Sequence, residues 1–471
     1  MRTKRNNQNE FSFQPPSLKI TRQYYERYER ISRILDDNPE ILERVHRDLK
    51  KVLKSQGRGG PGRKCEFTSD TVLRIVICQI LESESFRGIV IRIDGDNFLR
   101  RFVRIYNGPM MDFTTFCTLK NAIRPKTWKK INEILTGAAV EQERVSGEKL
   151  RMDTTAYETN IHWPTDSSLL WDTYRVLCRL VNTARKIDPE AASDRRLQPK
   201  RAKRLHTKIA RRSGKKGTVS KDAKHHYKAL IGLVGGLLGW VPTVCEQLRA
   251  GLAENAYGFM ETLIIEGVIE QIEHFRSLGL KVVDQAHRRV IEGEKVPNEE
   301  KVFSIFEPHT ELLKRGKAGK PIEFGHMIVI QQVENKFITD YEVFERRPVD
   351  YELVDSALES HRKIFGENPE EFSADKGFYE TMDKIEELEA EIEVVSICKK
   401  GARTEEETER ESSEPFRAAQ KFRAGIEGTI SFLKRCLGMW RCMAQGWEHY
   451  VATVGATVFA HNLLVLARGY G

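Results

Sequence analysis

The sequence predicts an α+β protein: a mixed sheet with flanking helices, interrupted by a helical insertion and preceded by an all-helical N-terminal domain. Three observations carry this. Before Gly147 the apolar residues recur at helical spacing, with little strand signal. GEKLRMDTTAYETNI (147–161) alternates as a strand does, and strand signals return only after Lys320. Between these stretches, 165–290 reads as mostly helical.

The elements follow in order. Residues 1–16 read as a disordered tail, and 17–64 as N-terminal helices (YYERYERISRILDD, PEILERVHRDLKKVL) closed by the Gly/Pro/basic linker GRGGPGRK at 57–64. Residues 65–145 form a helical domain of short helices, in which PKTWKKINEIL opens on Pro125. Residues 146–164 carry the first strand. The insertion, 165–299, is helical, with a possible strand at LKVVDQ (280–285). From 300 to 471 the order is a hairpin in IEFGHMIVIQQVENKFITDYEVFE turning near Glu334–Lys336, a helix, a short strand EEFSADKGF, a helix and a buried strand IEVVSICKK. An acidic polar loop at 402–414 and two closing helices complete it, one starting at Pro415 and one at about 447–468.

The chain has 471 residues, enough for two to four domains, and an ordinary globular composition that excludes whole-chain disorder, collagen and a pure coiled coil. The excess of 77 Lys and Arg over 68 Asp and Glu, +9, favours a polyanionic partner. Eight scattered cysteines include no CxxC pair and no zinc-ligand spacing, which predicts reduced thiols in a cytoplasmic protein. The polar start MRTKRNNQNEFSFQPP carries no apolar leader. Two uncharged runs, Ala229–Cys245 and Val451–Ala467, approach membrane length but are broken by Gly and Pro or contain His461 and Asn462; they are expected as buried core, with no membrane partner.

Three acids stand out by position: Asp153 in the first strand, Asp375 at a strand end beside Gly377, and Glu427 on a helix flanked by cations. Carboxylates at strand ends and on a facing helix can converge at a sheet edge, and three hard oxygen ligands suit Mg²⁺, with Mn²⁺ as substitute. Most acids are merely solvated, and an Asp at a strand end often caps a turn. Arg423, Glu427 and Lys434 lie close to one helical face; a surface i,i+4 pair is the plainer reading of the first two.

The set MDTTAYETN, FSADKGFY and FRAGIEGTISFLKR resembles the catalytic core of bacterial insertion-sequence transposases of the DDE, RNase H-like class. The resemblance spans about 68–160 and 300–465. Arg423, Glu427 and Lys434 match in spacing the family's Tyr-xx-Arg-xxx-Glu-xxxxxx-Lys signature, with Gln420 at the tyrosine position; the hairpin has Met327 where the family often has Lys. The resemblance implies an RNase H-like sheet. It also implies a DNA transposase that nicks element ends by metal-dependent hydrolysis and joins the 3′ ends to target DNA. Asp153, Asp375 and Glu427 would be its catalytic metal ligands for two Mg²⁺, and double-stranded DNA and a homodimer or higher synaptic complex its partners, in a nucleoid-associated cytoplasmic setting. A metal-dependent nuclease without strand transfer and a catalytically idle DNA-binding protein are the alternatives.

DNA contacts are expected from Arg423 and Lys434, from Lys376, Lys399 and Lys400 near the strand ends, and from the basic stretch 195–228, where 14 Lys and Arg face the single acid Asp222. In that stretch Arg201, Arg204, Arg211, Arg212, Lys215 and Lys216 are the candidates. Residues 65–145 form the expected helical DNA-binding domain, in which Arg87, Arg92, Arg100, Arg101, Arg104, Lys120 and Arg124 would serve a helix-turn-helix-like reader. Trp163 is expected in the core.

Overall fold

The computed structural model describes residues 4–5, 16–55, 67–212, 220–314 and 321–468. The linker 57–64, most of the tail 1–16, and Lys215 and Lys216 lie outside the described residues. The protein is α+β with a mixed seven-stranded sheet. It divides into two compact units, 1–160 with 326–471, and 161–325.

The first unit opens with α1 (Lys19–Asp37) and α2 (Pro39–Ser55). Four short helices follow, α3 (Ser69–Leu81), α4 (Phe86–Gly95), α5 (Asn97–Phe102) and α6 (Phe113–Asn121). Each starts where a Thr68, Ser85, Asp96 or Asp112 side chain accepts a hydrogen bond from a first-turn N–H. Then α7 (Pro125–Glu141) leads into β1 (Lys149–Thr159).

The second unit holds α8 (Asp166–Ile187), α9 (Pro199–Arg212), α10 (Lys221–Ala253) and α11 (Phe259–Ala286), which runs into a π-helical turn at His287–Glu292. Its hairpin pairs β2 (Glu311–Lys314) with the first residues of β3 (Ile322–Gln332). LKVVDQ, expected as a strand, continues α11. Gln285 is buried there, donating to Asp166 Oδ1 at 3.0 Å and accepting from the Val302 N–H. A Cβ on Gly279 would lie 2.6 Å from Thr173 and 2.8 Å from Leu238, so packing against α8 and α10 overrides the β-branched run.

The first unit resumes with the rest of β3, then β4 (Ile338–Val343), α12 (Leu353–Phe365), β5 (Glu371–Ser373), α13 (Met382–Glu389) and β6 (Val394–Ser396). It ends with α14 (Glu405–Ser412), α15 (Glu414–Arg435), the two-residue β7 (Arg441–Cys442) and α16 (Trp447–Arg468). The helix α14 replaces the expected acidic loop. Thr404 and Glu407 form a reciprocal capping box, and Lys399, Arg403 and Arg410 neutralise Glu407, Glu411 and Glu389.

In the sheet β1 lies between β3 and β5; β4 pairs antiparallel with β3, and β5 and β6 run parallel to β1 in the register Lys149–Glu371–Val394. The N-terminal helices share one core with this sheet. The reason is α16, which is apolar all round and so must be covered on every side. Gly455 permits this: a Cβ there would meet the Tyr341 hydroxyl and Trp128 Cβ at 2.7 Å. Asn462 caps β4 from both sides, accepting from the Ile338 N–H and donating to its carbonyl.

Two helices, α10 and α16, are long and apolar enough to cross a membrane. The apolar window of α16 is 83% buried within the protein, and α10 buries Tyr227, Leu230, Val234, Leu237, Val241 and Val244 along one face.

Candidate active site

The site is built on β1, β5 and α15. Because β1 and β5 are adjacent and parallel, Asp153 on the first and Asp375 just beyond the second leave the sheet on neighbouring strands. Residues two apart on a strand share a face, so Asp153 faces the same side as Arg151, which reaches α15. Burial raises the Asp153 carboxyl from 3.8 to about 6. The Thr154 N–H, donating to its Oδ1 at 2.7 Å, opposes that rise; Asp375 adds to it, Arg423 lowers it, and Glu427 raises it again. Asp153 thus feels the charges of Asp375, Glu427 and Arg423. Asp375 accepts from the Gly377 N–H and caps the turn Lys376–Phe378.

Glu427 is exposed on α15, its Oε1 accepting from Arg423 Nη2 at 3.2 Å. The Arg423 Nε is buried and lacks a hydrogen-bond partner. Lys434 sits half-buried in the last turn of α15. Among the described residues, no group of three His, Cys, Asp or Glu side chains is close enough as it stands to hold a metal ion.

What sets α15 against the sheet escaped the sequence reading. Buried Arg151 donates through Nε to Gln332 Oε1 at 2.9 Å and through Nη1 to the Phe422 carbonyl, and its guanidinium lies 4.3 Å from the Phe422 ring centroid. It forms no ion pair among the described residues, and burial pulls it down to about 10. Gln332 in turn donates to Thr429 Oγ1 at 3.0 Å. Gly425 makes room: a Cβ there would lie 2.4 Å from Arg151 Nη1. Gln420, at the resemblance's tyrosine position, donates its amide to the Ser396 carbonyl at 2.8 Å and tethers α15 to β6. The available signal was a cation two places before Asp153, between the apolar Leu150 and Met152.

The expected DNA-contact residues fall into three groups. Lys376 is exposed beside Asp375. Lys399 pairs with Glu407 at 2.5 Å, and Lys400 donates to the Gly377 carbonyl at 2.8 Å, so both are engaged in supporting the strand ends. In the second unit Lys200, Arg201, Lys203, Arg204, Lys208 and Arg211 are exposed on α9, while Ala202 and Ile209 are buried; Arg212 ends the helix.

The cations of the N-terminal helices are largely satisfied internally. Arg104 bridges Asp36 and Asp70, each at 2.6 Å, Arg100 pairs with Asp94 at 2.8 Å, Arg101 with Glu29 at 3.3 Å and Arg124 with Asp48 at 2.7 Å. Arg92 pairs with Glu82, and Lys120 donates to Gln79 Oε1 at 2.8 Å. Arg87 lies 4.4 Å from the Phe113 ring centroid. Trp163, expected in the core, is 65% exposed, with its ring edge-on to Phe324 at 5.2 Å between centroids. It lies between the end of β1 and the start of α8.

Compared with known proteins, the chain matches no protein-family model, no curated protein and no solved structure.

Proposed function

We propose that the protein is a metal-dependent DNA transposase of the DDE, RNase H-like class. The observation that carries this reading is the electrostatic influence on Asp153 of Asp375, Glu427 and Arg423, with Asp153 midway along β1, Asp375 just past the adjacent parallel β5, and Glu427 and Arg423 on α15. The strand pattern supports it: a central first strand, an antiparallel hairpin on one side, two parallel strands on the other, then the helix with the third acid.

A buried Asp153 carboxyl whose proton affinity Asp375 and Glu427 both raise fits a divalent cation, whose charge would offset that repulsion. Asp153, Asp375 and Glu427 would hold it, with Glu427 turning its long exposed side chain from Arg423. Bound Mg²⁺ would supply a nucleophile at neutral pH and charge stabilisation for the phosphodiester. The chain's own groups do the positioning. Arg423 keeps an unsatisfied buried donor and a guanidinium that Glu427 would release, both suited to a non-bridging phosphate oxygen. Lys376, exposed beside Asp375, would hold the adjacent phosphate. Arg151, Gln332, Thr429 and Gln420 tie α15 to the sheet and so would set where Glu427 enters the site. The exposed cations of α9 would follow the DNA backbone and supply salt-dependent affinity without base choice.

The test is cleavage and joining of labelled DNA carrying the sequences that flank the gene, with Mg²⁺ or EDTA, beside Glu427→Gln. Metal-dependent nicks and joined products, both lost in the variant while DNA binding persists, are expected. Cleavage retained by Glu427→Gln removes Glu427 from the site; nicking without joining makes the protein a nuclease.

A further inference from the structure

The sequence reading placed the insertion's DNA contacts in 195–228, but α8, which precedes that stretch, carries a second row of cations. Arg175, Arg179, Asn182 and Lys186 stand at i, i+4, i+7 and i+11 and are all exposed, while Tyr174, Leu177, Leu180, Val181 and Ala184 on the other side are buried. The row spans about 16 Å at 1.5 Å per residue. It lines a cleft of about 310 Å³ together with Thr183 and Pro199, the first residue of α9. Among the described residues, none that lines the cleft is acidic. Asp172 orders Arg175 through a 2.7 Å bond to its Nε, and the guanidinium lies 5.4 Å from the Phe306 ring centroid. Arg179 and Lys186 make no ion pair among the described residues. A straight cationic row with the exposed Asn182 amide within it, continued by the exposed cations of α9, matches a linear polyanion.

We propose that this cleft is a groove for the phosphate backbone of duplex DNA, so that α8 and α9 together form the nucleic-acid face of the second unit. The inference rests on the reading of DNA as partner and is independent of the catalytic acids. Arg179 and Lys186 carry the phosphate contacts, and Arg175 is a positioning residue held ready by Asp172.

The test measures binding of the full chain to a random-sequence duplex by fluorescence anisotropy across a salt series. Neutralising two phosphate contacts in Arg179→Gln with Lys186→Gln is expected to make the slope of log K against log salt shallower by roughly 1.8, and to weaken binding on the order of 60-fold at about 0.1 M salt. The charge-conserving pair Arg179→Lys with Lys186→Arg keeps the original slope. Lys281→Gln with Lys363→Gln, two exposed cations elsewhere, controls for net charge and also keeps it. An unchanged slope in the first double variant, with wild-type binding intact, overturns the groove but leaves the DNA reading standing. Equal loss in the control overturns it too, by reducing the effect to net charge. Failure of the wild type to bind the duplex in a salt-dependent way overturns both.

Discussion

Gly425→Ala probes the contact that sets the depth of α15. Alanine inside an exposed stretch of helix gains about 1 kcal/mol over glycine. Here the new methyl would lie 2.4 Å from Arg151 Nη1 and 3.2 Å from its Cζ. Arg151 cannot simply withdraw, because it is buried and tied to Gln332 and to the Phe422 carbonyl. Displacing it gives up at least one charge-assisted hydrogen bond in a buried setting, worth about 1.5–3 kcal/mol. The net expectation is destabilisation of about 1–2 kcal/mol, a fall in Tm of a few degrees. Urea unfolding of Gly425→Ala, Arg151→Met and the double variant completes the cycle. With the guanidinium gone, alanine is expected to be neutral or stabilising, giving a coupling of about 2 kcal/mol or more. If Gly425→Ala stabilises the otherwise unchanged protein by about 1 kcal/mol, or the coupling is under about 0.5 kcal/mol, Arg151 does not determine where α15 sits.

Other outcomes follow from the same geometry. Asp153 has its folded value raised from 3.8 to about 6, so the site is favoured at low pH and loses stability as pH rises through 6. Asp153→Asn should therefore be about 3 kcal/mol more stable than the unchanged protein at pH 7.5, with little gain near pH 4; no gain at pH 7.5 would show the carboxylate is not strained. Added Mg²⁺ should remove that gain, and chelation restore it. His361 and His461 are buried and held at about 4, below the ordinary 6.5, so their contribution is complete above about pH 6.5 and is lost as pH falls toward 4, about 3 kcal/mol each. His361→Leu should flatten the acid limb of a stability-against-pH curve; an unaltered limb would place that histidine in water.

Local chemistry made much of this protein legible from its residues alone. Alternation marked β1 and the β3–β4 hairpin, and Pro125 marked a helix start, because these signals act within a few residues of where they are read. The capping box of α14 was equally local, written in Thr404 and Glu407, yet the acidic run around it suggested a loop. Asp153, Asp375 and Glu427 could be picked out because strand ends and helix faces are periodic features. Their electrostatic coupling could not, since it depends on β1 and β5 becoming parallel neighbours across 222 residues of sequence. Long-range packing also decided the rest. It turned LKVVDQ into helix by closing α11 against α8 and α10, and wrapped α16 on all sides so that helical and sheet regions share a core. It buried Arg151 against a glycine 274 residues away and drew the cations of the N-terminal helices into internal ion pairs. A residue's type states which interactions it can make; which of them it makes is fixed only when distant segments exclude water from between them.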